Sequence, residues 1–326
     1  MKYRKYFEPE YGEPDKYVKK EKDFGAPEGM SRKAFRVKSN FETLTNMTEM
    51  MKGIYCYDEL MKIETDDYRV RRDGWDVTLR VYHPMTEGPH PIMLFYHGGG
   101  WTMNNLDLYD YVPRYFTRYG DIVVVAVDYR LAPEYPFPGG LEDCYMGLEW
   151  AVEHAEEIGG SPESVTVCGD SAGGNLATAV CIMARDRKGP RIHKQILLFP
   201  GTSFNFDTPV DSTLRYAGGN YFIDIDPYAD LAQSGYLSDP EKERYNPYAS
   251  PMENNDFDGI PPCCFISPEC DPLLDHALMY AAKLEDNGVP VEFHLYKGML
   301  HAFINRPYQK SFEAMDDIIA AVPKLG

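Results

Sequence analysis

The 326-residue chain has no apolar run long enough to cross a bilayer: Ile122 to Val127, at six residues, is among its longest, whereas a membrane helix needs about 20. Its opening stretch, MKYRKYFEPEYGEPDKYVKKEKD, lacks the apolar core of a secretory leader, so a cytoplasmic location is expected. Positive charge is scarce. Lys and Arg number 33 against 51 Asp and Glu, a formal net charge of −18, and no basic cluster is long enough to track a phosphate backbone. That excludes nucleic acid as a partner and opposes insertion into anionic membranes. Paired C-x-x-C spacing is missing among Cys263, Cys264 and Cys270, so no zinc knuckle is expected and these thiols read as core packing. The seven cysteines are an odd number, several within apolar runs, which argues against a disulfide framework.

What is present is an ordinary globular balance, 44% hydrophobic and 26% charged, in a chain long enough to bury a large core. From about Asp76, β-rich runs alternate with helical patterns. The strand candidates are 76–83, 91–97, 121–129, 164–169, 194–200, 262–267 and 291–296, with helices near 105–118, 140–157, 172–186, 275–287 and 309–322. Strands apolar throughout, separated by helices, imply an α/β fold with a mostly parallel sheet covered on both faces. Two regions break the alternation. The first sixty residues mix charge, Pro, Gly and aromatics, and 202–250 holds nine aromatics among turn-forming residues: Phe204, Phe206, Tyr216, Tyr221, Phe222, Tyr228, Tyr236, Tyr245 and Tyr248. Segments of this kind are either lids or insertions packed on themselves.

The run GDSAGGN, Gly169 to Asn175, joins a β-run to a helical run. A serine at such a corner stands at the carboxyl edge of the sheet, where open α/β sheets bind ligands, and glycines two residues either side suit the tight turn of a G-x-S-x-G nucleophile elbow. Ser171 then needs a base, itself oriented by a third group. Position removes most of the eight histidines. His154 and His276 lie in helical runs and His294 inside a strand, while His83, His90 and His193 adjoin strand starts or surface connections. His301 instead follows the last strand. Just past the preceding strand, SPECDPLLDH offers Glu269, Asp271 and Asp275. Asp271 falls in the connection and is favoured as the acid, while Asp275 reads as a helix N-cap. HGGGW, His97 to Trp101, supplies backbone N–H groups of Gly98, Gly99 and Gly100 for a developing oxyanion, joined by Ala172 at the elbow.

Together HGGGW, VDYRLAPEYPFP (127–138), GDSAGGN, LLFPG (197–201), YNPYASP (245–251), ECDPLLD (269–275) and HAF (301–303) resemble the bacterial branch of the hormone-sensitive-lipase family of carboxylesterases. HAF stands where HGF is commoner. The resemblance spans about residues 65–326 and implies an α/β-hydrolase fold, with about eight strands in a mostly parallel sheet, helices on both faces and a helical cap. It divides the chain into a cap segment 1–60, core 61–201, cap insertion 202–250 and core 251–326. It implies Ser171 as nucleophile, His301 as general base and acid, Asp271 as its partner, and no cofactor. Asp128, Arg130 and Glu134 are expected to serve the scaffold, and Asp170 to orient the elbow through hydrogen bonds.

The expected activity is hydrolysis of short-chain acyl esters through an acyl-enzyme on a small-molecule substrate, with homodimer formation left open. The competing readings are a deacetylase of carbohydrate or aryl acetates, an amidase, or a non-catalytic receptor on the same fold.

Overall fold

The computed structural model describes residues 30–72, 74–204, 210–217 and 235–325. Eight strands form one sheet: β1 (Glu64–Arg72), β2 (Trp75–His83), β3 (His90–Tyr96), β4 (Val123–Asp128), β5 (Gly160–Asp170), β6 (Lys194–Leu198), β7 (Cys263–Cys270) and β8 (Val291–Leu300). Their spatial order is β1-β2-β4-β3-β5-β6-β7-β8. β2 pairs antiparallel with both β1 and β4, and every other neighbouring pair is parallel. The inner strands are buried on both faces, β7 along its entire length, which is why they carry unbroken apolar runs.

Helices supply both covers. α1 (Arg32–Met51), α2 (Tyr57–Leu60), α3 (Tyr111–Gly120) and α9 (Gln309–Ala321) bound one core, with Phe95, Val124, Ile196 and Ile266 reaching it from the sheet. α4 (Gly139–Glu153), α5 (Ala172–Arg187) and α8 (Leu274–Asp286) bound the other, which takes Leu94, Val125, Val167 and Phe265. Adjacent strand residues thus feed opposite cores, as the two-residue period of a strand requires. Two short helices, α6 (Asp211–Tyr216) and α7 (Pro240–Glu243), lie between β6 and β7.

β1 has no counterpart among the strands expected from sequence. Its residues, ETDDYRVRR, are mostly exposed, because an edge strand covered on one side has no need of an apolar run. All seven cysteines are buried and none is joined in a disulfide, in line with the thiol reading. No helix among the described residues is long and apolar enough to cross a membrane.

Candidate active site

The elbow is built from the end of β5 and the start of α5. Ser171 takes φ 55° and ψ −115°, a backbone state that costs an ordinary residue roughly 1–3 kcal/mol. Its N–H donates to Leu198 O at 2.8 Å. A Cβ on Gly169 would lie 2.4 Å from Gly173 O, and one on Gly173 would lie 1.9 Å from Tyr96 O. Both contacts are with backbone, so only hydrogen fits at either position. Asn175 fixes the helix from behind, its Nδ2 donating to Gly201 O and Ala249 O at 2.8 Å each.

Three residues far apart in sequence meet over this turn. His301, directly after β8, donates from Nδ1 to Asp271 Oδ2 at 2.8 Å, which leaves Nε2 to accept from Ser171 Oγ at 2.9 Å. Asp271 is fully buried, and its other oxygen accepts the Leu273 N–H at 2.7 Å. The ring of Phe199 meets the imidazole edge-on, 4.8 Å between centroids. A hydroxyl, imidazole and carboxylate in this series can move a proton from the hydroxyl to the ring while the carboxylate holds the tautomer.

The other acids in the segment after β7 serve elsewhere. Glu269 accepts the Gly298 N–H at 2.8 Å, tying β7 to β8. Asp275 is not the N-cap that its position suggests. α8 begins at Leu274 with Leu273 as its cap, so Asp275 falls inside the first turn, buried, where it accepts the Ser212 N–H of α6 at 2.9 Å.

The HGGG loop lies beside the elbow, and Asp170 joins the two. Its Oδ1 accepts the Gly98 N–H at 2.7 Å and its Oδ2 accepts from the Tyr109 hydroxyl at 2.8 Å. Gly98 is therefore removed from the oxyanion donors expected from sequence, since its N–H is already committed to a carboxylate. Gly99, Gly100 and Ala172 remain, none of them donating to an acceptor among the described residues. Asn305, just past His301, donates to the Tyr109 hydroxyl at 3.3 Å. Tyr109 and Asn305 escaped the sequence reading because nothing in their spacing marks a contact across 196 residues. Burial pushes the Asp170 carboxyl up to about 6, against the pull of its hydrogen bonds.

His97 lies under the loop, stacked on Tyr129 at 4.4 Å with Nδ1 donating to Gly98 O at 2.8 Å. Burial holds it down to about 4, well below its ordinary 6.5. The unfolded chain therefore binds the proton first, and the stability present above pH 6.5 is lost as pH falls toward 4, on the order of 3 kcal/mol for this group. His97→Gln should lose correspondingly less stability than wild type between pH 6.5 and 4.5, compared by urea unfolding at both values. Asp170 shifts the opposite way between pH 6 and 3.8, a contribution common to both proteins. Equal pH slopes would contradict the assignment.

An aromatic wall stands against the loop. Trp101 stacks on Tyr236 at 4.6 Å and packs on Phe204 at 4.9 Å, and Gly201, whose N–H bonds Ser171 O, lies under its ring. Two aromatics of the 202–250 stretch thus pack on Trp101 beside the elbow, while Phe206, Tyr221, Phe222 and Tyr228 lie outside the described residues. On the opposite side of the loop, Arg36 of α1 donates to Thr102 O at 2.5 Å and Ala132 O at 2.6 Å and pairs with Glu134 at 2.9 Å. Arg130 is held by Asp143, so Arg130 and Glu134 are both engaged in scaffold ion pairs.

A family description, alpha/beta hydrolase fold, matches residues 93–305. The chain is 37% identical over 250 residues to the carboxylic ester hydrolase LipN of Mycobacterium tuberculosis, covering 74% of this chain and 65% of that protein. It is 34% identical to an arylesterase of Saccharolobus solfataricus over 75% of this chain and 78% of that one. Among solved structures, a hyperthermophilic esterase from the archaeon Pyrobaculum calidifontis superposes with a TM-score of 0.80 at 33% identity, covering 90% of each chain. With its sheet order, its elbow serine and these relatives, the chain belongs to the hormone-sensitive-lipase-like family of carboxylic ester hydrolases on the alpha/beta hydrolase fold.

Proposed function

We propose that the protein is a serine carboxylesterase that cleaves short-chain acyl esters through an acyl-enzyme on Ser171. The observation that carries this reading is the continuous bonded series Asp271–His301–Ser171, with links of 2.8 and 2.9 Å. Ser171 attacks the ester carbonyl as its proton passes to His301 Nε2, and the oxyanion is received by N–H groups of Gly99, Gly100 and Ala172. His301 then returns the proton to the departing alcohol. In the second half it takes a proton from water, which attacks the acyl group and regenerates the serine. Asp271 holds the imidazole tautomer and balances the imidazolium. The cap is assigned to segments 1–60 and 202–250 over core segments 61–201 and 251–326, residues 1–29, 205–209 and 218–234 of it lying outside the described residues, and Arg36 fastens α1 to the loop carrying Gly99 and Gly100. The buried cysteines, none in a disulfide, fit a cytoplasmic setting.

Trp101, Tyr236 and Phe204, packed together beside Gly201, narrow the space next to the elbow, which favours a compact ester over a long-chain lipid. Relatives named arylesterase and acetyl esterase support the same choice. A deacetylase of carbohydrate or aryl acetates is the second reading, favoured by the relatives named acetyl esterase and arylesterase. A panel of 4-nitrophenyl acetate, butyrate, octanoate and palmitate beside acetylated sugars and aryl acetates tests both. kcat/KM should fall by more than about tenfold from butyrate to octanoate. Rising activity out to palmitate would reject the short-chain assignment, and a preference for acetylated sugars over every nitrophenyl ester would select the second reading.

A further inference from the structure

At the opposite edge of the sheet, where β6, β7 and β8 begin, a second group of reactive side chains comes together. Cys264 pairs across the strands with Glu292, and His294 lies two residues further along β8, on the same face. One donor atom from each of the three lies within 4.8 Å of the others. Around a tetrahedral Zn²⁺ with bonds of about 2.0–2.3 Å, donors sit about 3.3–3.8 Å apart, so small side-chain rotations close the gap. His294 Nε2 is already 3.8 Å from Glu292 Oε1.

The surroundings are those of held ligands. Asp317 of α9 lies 3.3 Å from His294 Nδ1, on the side away from Glu292, an arrangement that orients an imidazole for a metal at Nε2. Tyr296 donates its hydroxyl to the same Asp317. Lys194 of β6 bonds Glu292 Oε2 at 3.2 Å, so one carboxylate oxygen is anchored while Oε1 faces the histidine. Cys264 is buried and Glu292 is exposed, so an ion has a route from solvent.

We propose that Cys264, Glu292 and His294 form a binding site for a divalent transition metal of zinc type, distinct from the esterase centre. The soft thiolate and the imidazole select for zinc over calcium or magnesium, which prefer all-oxygen shells. The site ties β7 to β8, with α9 held through Asp317, and its role is structural. No C-x-x-C pattern announces it, because its ligands come from two strands whose register only folding supplies.

Zinc binds the thiolate form of a cysteine. Binding therefore displaces the Cys264 proton and releases acid. The test uses full-length protein freed of metal with a chelator and titrated with ZnCl2 by calorimetry in buffers of different ionisation enthalpy. A parallel CoCl2 titration is read by absorbance. One equivalent should bind with Kd of about 1 μM or tighter, with proton release and a thiolate-to-cobalt charge-transfer band. Cys264→Ser and His294→Gln should each weaken binding by about tenfold or more, and Cys264→Ser should abolish the band. Hydrolysis of 4-nitrophenyl acetate by both variants should stay at the wild-type rate, which also shows them folded. Absence of saturable binding by wild type, or binding and band unchanged in both folded variants, would overturn the proposal.

Discussion

Ser171→Ala should lower kcat on 4-nitrophenyl acetate by about 10⁴-fold or more while leaving the melting temperature within a few degrees of wild type. The size follows from what is lost. With the hydroxyl gone, His301 has no proton to take and no acyl-enzyme forms, so only the binding groups and oxyanion donors remain, worth roughly 10³–10⁴ over water. The fold should survive because alanine keeps the backbone N–H that donates to Leu198 O and places no new atom in the turn. His301→Ala should cost about as much, and the double variant little more than either single one, since members of one proton relay do not add. Steady-state rates beside differential scanning measurements decide it. A Ser171→Ala protein retaining more than about a tenth of wild-type kcat would remove the serine from the mechanism.

The second large effect is expected at Gly173, where stability and chemistry meet. An added Cβ would lie 1.9 Å from Tyr96 O, 2.6 Å from Tyr96 C and 2.8 Å from His97 O. None of these is a side chain that can rotate away. Helix α5 must therefore draw back from the end of β3, carrying Ser171 and Ala172 away from the HGGG loop. Gly173→Ala should cost about 3 kcal/mol or more in urea unfolding. In whatever protein folds, kcat should fall by about 10²-fold or more, because a displacement near 1 Å is enough to spoil the alignment. Gly174→Ala is the control. Its Cβ would meet Pro200 Cβ at 3.0 Å and Gly169 O at 3.1 Å, contacts that ask for a few tenths of an ångström, so its losses should be clearly smaller. Equal behaviour of the two variants would mean that close approach of helix and strand is not what these glycines provide.

The fold was legible where burial dictates composition. β3 to β7 are largely enclosed on both faces, so their apolar runs announce them, and the intervening helices fall within a few residues of their expected bounds except α3, which begins at Tyr111 rather than near 105. β1 was hidden because an edge strand rich in Arg, Asp and Glu resembles a surface loop. β8 runs on to Leu300, past the expected end at 296, because Gly298 and Glu269 continue the pairing across an irregular register. In the site, Ser171, Asp271 and His301 could be singled out from sequence because each follows a strand, and a sheet delivers strand ends to one edge. The commitment of the Gly98 N–H to Asp170, the role of Tyr109 and the turn position of Asp275 depend on distances that no spacing encodes. The same holds for Cys264, Glu292 and His294, which belong to a common face only once β7 and β8 are in register.

The central claim is that Ser171 alone is made nucleophilic by its bonded histidine, and covalent labelling tests it most directly. Incubation with a fluorophosphonate, followed by intact mass and peptide mapping, should give one phosphonyl adduct per chain on Ser171. The labelling rate should fall by several orders of magnitude in His301→Ala. A folded wild-type protein that stays unlabelled, or one labelled elsewhere with Ser171 untouched, would contradict the account.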